Sequence, residues 1–158
     1  MSFAPELAAL FHRDLTRLLQ ELEAFPDSGD LWQTLPGIGN SVGNLTLHLE
    51  GNLREYIGRQ LGGLVFTRKR DREFSDSGIP VVDLARRIGD VRQRIPPIVA
   101  GLSAHQLQAP FPEEVFGAPI STQQLLFSLY GHLSYHLGQI DYLRRIVTQG
   151  SAIRFAGL

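Results

Sequence analysis

Apolar residues recur at three- and four-residue steps along four stretches of this chain. That spacing places the apolar side chains of each stretch on one face of a helix, so each stretch predicts an amphipathic helix. The predicted helices run from Glu6 to Phe25, Ser41 to Leu61, Pro80 to Gly101 and Ser121 to Gly150. Because no alternating run is long enough to demand a strand, the pattern predicts an all-α protein, a four-helix bundle.

Local signals refine the helix ends and the connections. Asn40 or Ser41 is the expected N-cap of the second helix, and Ser121 with Gln124 has the form of a capping box on the fourth. Pro96-Pro97 lies inside the third helix, where lost hydrogen bonds and a clash with the preceding turn predict a kink or break. The second and third connections, of about 18 and about 15 residues, exceed the usual two to eight, which favours crossovers between the helices.

The second connection contains a charged run from Arg68 to Glu73. Because positive and negative residues alternate within it, the run is typical of a solvated loop rather than of a binding segment.

Composition limits the function. The 158 residues carry 15 basic and 16 acidic side chains, a formal net charge of −1. The length fits one domain over residues 1–158, and the charge lacks the basic excess of a nucleic-acid binder. No apolar run approaches the roughly 18 residues of a membrane span, and the first residues lack the pattern of a secretory signal. We therefore expect a single cytoplasmic domain that binds neither nucleic acid nor membrane.

The chain contains no cysteine. This excludes a disulfide scaffold, thiolate zinc and iron–sulfur sites and a cysteine nucleophile. Metal chemistry in this protein must therefore depend on histidine and carboxylate side chains.

Three of the five histidines lie on predicted inward faces. His132 and His136 are four residues apart on the fourth helix, which brings their Cβ atoms within about 5–6 Å. His48 occupies an inward position on the second helix. Three neutral imidazoles and an open position describe a catalytic metal site. Hydrogen-bonded core histidines are the alternative that the pattern leaves open, and His12 and His105 are predicted to be surface residues.

Three amide side chains accompany the histidines. Gln139 follows His136 on nearly the same face, and Asn44 and Asn52 flank His48 by one turn on each side. Each could orient a ligand or a bound water next to a metal. A structural hydrogen bond between helices is an equal alternative for all three.

Two stretches resemble the DinB/YfiT-like family of metal-dependent bundle proteins. Residues 38–49 are similar to the family's entry into its second helix, with its single histidine His48. Residues 131–140 are similar to its H-x-x-x-H-x-G-Q motif, with His132, His136 and Gln139, and the order of the four helices also matches. The resemblance implies an up-down-down-up four-helix bundle, a homodimer, and a nickel or zinc ion on the three histidines.

The resemblance also implies thiol chemistry, because family members of known activity are largely transferases or isomerases that use bacillithiol, mycothiol or glutathione. The leading hypothesis is an S-transferase or isomerase whose divalent metal activates a low-molecular-weight thiol. Two alternatives stay open. One is a metal-dependent hydrolase that activates water, and the other is a non-catalytic dimeric protein in which a metal joins two helices.

Overall fold

Four long helices dominate the computed structural model, which describes residues 3–115 and 117–154. They are α1 (Ala4–Glu23), α2 (Val42–Leu53), α4 (Val81–Ala100) and α6 (Thr122–Thr148), with the short helices α3 (Arg70–Ser75) and α5 (Ala104–Gln108) in the connections. A 3-10 turn covers Asp30–Trp32, and Arg54–Arg59 extends α2 as a π-helix. The described residues form no strand beyond an isolated bridge between Pro110 and Ser121. The all-α prediction is therefore confirmed.

The four long helices form a bundle in which α1 and α2 occupy opposite corners. Each of these two helices packs against both α4 and α6. Two helices run parallel when later residues of one contact later residues of the other. By this criterion α1 runs parallel to α6, and α2 runs parallel to α4. The pairs are Arg13 with Tyr130 and Glu21 with Arg144 in the first case, and Glu50 with Arg87 and Arg54 with Asp90 in the second.

The first and third long helices run in opposite directions. Thr16 of α1 contacts Arg92 of α4, whereas the earlier Ala8 lies beside the later Pro97 and Ala100. With the two parallel pairs, this gives the up-down-down-up order that the resemblance implies.

Side-chain caps fix the starts of α2 and α6. Ser41 accepts from the backbone N–H of Asn44 while the Asn44 side chain accepts in return, and Ser121 and Gln124 form the same capping box. These bonds satisfy amides that have no partner inside a helix. The predicted caps at Ser41 and Ser121 are confirmed.

The prolines Pro96 and Pro97 do not break α4, which is continuous to Ala100. They lie near the C-terminal end of the helix, so only two main-chain donors are lost before the helix stops. The N–H of Gly101 still closes the last turn on the carbonyl oxygen of Pro97. Of the predicted kink or break, the break is therefore wrong, and the kink stays a prediction.

The charged second connection is not a solvated loop, because part of it folds as α3 and returns to the bundle. Glu73 is only 6% exposed. The side chain of Asn44 donates to the carbonyl oxygens of Glu73 and Asp76, which fastens α3 to the start of α2. A local charge pattern cannot reveal such a long-range anchor.

The inward stripes of the long helices form one continuous apolar core. Phe11, Leu15 and Leu18 of α1 are fully buried, as are Ile88 of α4 and Leu133 of α6. Within the described ranges, no helix has both the length and the apolar character needed to cross a bilayer.

The buried ion pair between Glu21 and Arg144 joins α1 to α6, with side chains 0% and 3% exposed. Burial raises the pKa of Glu21, against the opposing effect of the Arg144 hydrogen bond and charge. Arg144→Met should therefore lower the free energy of unfolding by about 3–5 kcal/mol, because it leaves a carboxyl group buried without its counter-charge. Urea unfolding followed by circular dichroism measures the loss.

The double variant Glu21→Leu, Arg144→Met is the control for this prediction. Replacing both charges with apolar groups should restore most of the stability, since a matched apolar pair is often as stable as a buried ion pair. A double variant as unstable as Arg144→Met would show that the pair does not act as argued.

Candidate metal centre

The three inward histidines meet between α2 and α6. Nε2 of His132 lies 3.1 Å from Nε2 of His48 and 3.1 Å from Nε2 of His136. The three possible ligand atoms lie within 4.8 Å of one another, and in the described part of the chain no other histidine or carboxylate joins the group. The exposed His12 and His105 lie outside it.

The ring of His48 is held from behind by a carboxylate. Its Nδ1 lies 2.9 Å from Oε2 of Glu73, and Arg68 donates to both oxygens of Glu73 at 2.7 and 2.9 Å. An ionised carboxylate only accepts hydrogen bonds, so Nδ1 of His48 carries the proton. The unprotonated Nε2 then faces the other two rings. This carboxylate–histidine arrangement is the one that commonly orients metal ligands.

The ring of His136 is held in the same way by an amide. Its Nδ1 donates to Oε1 of Gln139 over 2.6 Å, which leaves its Nε2 unprotonated. Gln139 thus orients a histidine rather than a substrate. Two of the three rings therefore present a lone pair to the same point because of partners behind them.

Burial lowers the pKa values of the two histidines on α6. Burial lowers the pKa of His132 to about 4, and the charges of His136, His48 and Arg68 act in the same direction. Burial also lowers the pKa of His136, although its bond to Gln139 opposes this effect. Since a metal binds the deprotonated imidazole, the lowered pKa values of His132 and His136 fit a site for a divalent ion.

The carboxylate behind His48 stays ionised. Burial alone would raise the pKa of Glu73, but hydrogen bonds from His48 and Arg68, together with the charge of Arg68, lower it overall. A negative charge at this place increases the basicity of the His48 ring as a metal ligand.

A glycine makes room for this carboxylate on the surface of α2. A β-carbon on Gly51 would overlap Oε1 of Glu73 and lie only 2.9 Å from its Cδ. Any larger residue at this position would push Glu73 away from His48. Gly51 is thus part of the support of the histidine cluster, although it bears no functional group.

The two asparagines beside His48 have different surroundings. Asn44 belongs to the cap of α2 and to the anchor of α3, so its role is structural. Asn52 is 9% exposed and lies beside His48 and His132 on the wall of a cavity, and its Oδ1 has no partner in the described part of the chain.

That cavity, of about 750 Å³, opens beside the histidines between α2 and α6. Its polar wall includes Asn52, Tyr56, Arg68 and Ser128. The apolar part of the wall consists of Val115, Leu125 and Leu129. The volume suits a small-molecule ligand that could reach His48 and His132.

The sequence pattern did not identify Glu73, Arg68 or Gly51 as parts of this site. Glu73 and Arg68 lie in the run whose alternating charges are typical of solvent exposure. Gly51 lies inside α2, where no turn requires a glycine and where glycine usually lowers the stability of the helix. A helical glycine one turn from an inward histidine is the one local signal that could have indicated a close approach.

The arrangement of helices is that of DinB-like proteins. A DinB-like protein from Bacillus cereus ATCC 10987 superposes with a TM-score of 0.66 and 15% identity, over 92% of this chain and 91% of that one. A conserved protein from Enterococcus faecalis gives a TM-score of 0.74 and 15% identity, over 95% and 99% of the two chains. No family model and no curated protein matches the sequence. The motifs resemble those of the DinB/YfiT-like family, and the structure shows that the fold is similar as well. The three-histidine cluster is compatible with that family.

Gly51→Ala should weaken the binding of a divalent ion by about 10- to 100-fold, the usual cost of losing an outer partner of a metal ligand. The new methyl group displaces Glu73, which then no longer orients His48. Titration of the metal-free protein with zinc, followed by calorimetry, measures the affinity.

Gly89→Ala is the matched control, since it is also a helical glycine and nothing lies within 4 Å of the added methyl group. It should keep the wild-type affinity. Equal affinities for the two variants would contradict the role of Gly51.

Proposed function

We propose that the protein is a cytoplasmic metal-dependent enzyme, a thiol S-transferase or isomerase. A nickel or zinc ion would be held by His48, His132 and His136. The observation that carries the proposal is the convergence of three imidazoles, two of which, His48 and His132, line a ligand-sized cavity. Three histidines and an open position are typical of catalytic rather than structural metal sites.

A divalent ion at these histidines would lower the pKa of a coordinating thiol, so that the thiolate predominates at neutral pH. The chain has no cysteine, so the thiol must arrive as a small molecule. The cytoplasm keeps such thiols reduced. Glu73 and Gln139 hold the rings of His48 and His136 in place while a substrate enters.

In a transfer reaction the thiolate sulfur attacks an electrophilic carbon of a second substrate. A carbon–sulfur bond forms, the bond to the leaving group breaks, and the leaving group departs with that electron pair. The proton of the thiol passes to solvent. The apolar residues Leu125 and Leu129 line the wall against which the electrophile can pack.

The hydrolase alternative lacks a base. In the described part of the cavity wall there is no carboxylate, and Glu73 is already engaged by His48 and Arg68. Glu50 is bonded to Arg54 and Arg87 on the side of α2 that faces α4. Water activated by a metal therefore has no neighbouring group to take its second proton.

The non-catalytic alternative requires a closed site. A structural ion on histidines normally has four protein ligands, and the cluster in the described residues has three. With three protein ligands, a metal would keep an open coordination position beside the cavity. This favours a site that binds a reacting ligand over a structural ion that links two helices.

Two measurements test the enzyme. Elemental analysis of the purified protein should find nickel or zinc near one ion per chain, and His48→Ala should lose most of it. With glutathione or bacillithiol and an aryl chloride, the metal-loaded protein should form the thioether faster than the background reaction. His132→Ala should fall to the background rate.

His12→Ala is the matched control, because His12 is an exposed histidine of α1 that lines a groove against α4 and does not belong to the cluster. It should keep both the metal and the rate. Hydrolysis of an ester without any thiol would favour the hydrolase instead. A metal-loaded protein with neither activity would contradict the enzyme proposal.

A homodimer is also proposed, through one face of α6. The exposed side chains Phe127, Tyr135, Tyr142 and Ile146 lie together on this face, 50–65% exposed. Gly131 and Gly138 lie between them with open space above, which allows a second helix to approach closely. Aromatic side chains of this kind are enriched in interfaces, and a second copy supplies the same surface.

Tyr142→Lys should convert the dimer to a monomer, because it places a charge in the centre of that face. Light scattering after size-exclusion chromatography measures the mass. Val82→Lys, at a residue of α4 that is 72% exposed, should leave the dimer intact. A monomeric wild-type protein would contradict the proposal.

A further inference from the structure

The cavity beside the histidines has a one-sided charge. Arg68 and Arg70 contribute cations to its wall, Asn52, Tyr56 and Ser128 contribute neutral polar groups, and its described lining contains no carboxylate. A ligand that fills the cavity therefore meets arginine side chains and no carboxylate among the described lining residues. An anionic small molecule is therefore favoured over a cationic one.

The two arginines are not equally available. Arg68 is engaged by Glu73 and also lies over the ring of Tyr56, 5.7 Å from its centre. Arg70 is exposed at the first turn of α3 and makes no hydrogen bond or ion pair with the described residues. Among the described lining residues its guanidinium is the cation without a partner, and it also borders the neighbouring cavity that Glu55 and Glu113 line.

Asn52 provides an independent sign of a ligand. It lies one helical turn after His48, only 9% of it is exposed, and its Oδ1 is buried without a partner among the described residues. A buried amide without partners is unfavourable by about 1–3 kcal/mol, so such groups are usually satisfied by something. Because an amide oxygen accepts hydrogen bonds, the ligand that satisfies it must offer an N–H or O–H group.

We infer that the substrate thiol carries a carboxylate that binds Arg70 and an N–H group that donates to Oδ1 of Asn52, while its sulfur reaches the three histidines. A planar guanidinium is suited to a carboxylate, and an amide oxygen accepts from an ammonium or peptide N–H. This rests on the proposed function and narrows it, since glutathione and bacillithiol carry free carboxylates and mycothiol does not. The cavity thus selects acidic thiols.

The test compares two thiols that differ only in this group, glutathione and its diethyl ester. Cobalt(II) replaces the native ion, because coordination of a thiolate to cobalt produces a charge-transfer absorption band that reports binding directly. Titration of the cobalt-loaded protein with each thiol gives the two dissociation constants. No turnover is needed for this measurement.

The wild-type protein should bind glutathione about tenfold or more tightly than the diester, the effect of one charge-assisted hydrogen bond. Arg70→Gln should remove most of this preference and leave the binding of the diester unchanged. Asn52→Ala should weaken the binding of glutathione and of its diester alike, by several-fold, since both carry the N–H groups that Oδ1 accepts. Added salt should reduce the preference, since Arg70 is exposed.

Arg72→Gln is the matched control, because Arg72 is an exposed arginine of the same helix that pairs with Asp76 and lines a different cavity. It should keep the full preference. Equal binding of acid and ester by the wild type, or an unchanged preference in Arg70→Gln, would overturn the inference while thiol binding stands. If neither thiol produces the band, the thiol function and this inference both fall.

Discussion

The hydrogen bond between the carboxylate of Glu73 and the imidazole of His48 is the contact on which the candidate site depends. It fixes which nitrogen of His48 carries the proton, and therefore which one faces the other two histidines. Arg68 keeps the carboxylate ionised and in place, and Gly51 leaves the space that the carboxylate occupies. Without this support His48 would be an ordinary buried histidine, free to turn its ring or exchange its tautomer.

The bundle brings this contact to the right place through its topology. In the up-down-down-up order α2 lies next to α6, so one histidine from α2 meets two from α6. The long connection between α2 and α4 is required because these helices run parallel. Its length allows α3 to fold back along α2 and deliver Glu73. The crossover that the order of helices demands is thus also the element that orients a ligand.

The absence of cysteine limits what the three-histidine cluster can do, because the chain supplies no thiol of its own. The thiol of the proposed reaction must arrive from solution, and the cavity beside His48 and His132 has room for a small molecule. Among the described residues, the wall of that cavity has two arginines and one amide side chain and no carboxylate. Its chemistry therefore favours binding an acidic molecule over generating a hydroxide with a protein base.

Local sequence patterns predict the four long helices, two of their caps, the inward positions of His48, His132 and His136, and the place of Gln139 beside His136. Helical periodicity reports which residues of one helix face the core, because neighbours at three and four residues share a face. The folded chain adds what those patterns do not contain: Arg68 and Glu73 lie at the site, and α4 continues through Pro96. These depend on contacts between residues far apart in the chain or on where a helix ends in the bundle. A run of alternating charge has the same local pattern whether it is solvated or folded against a buried histidine.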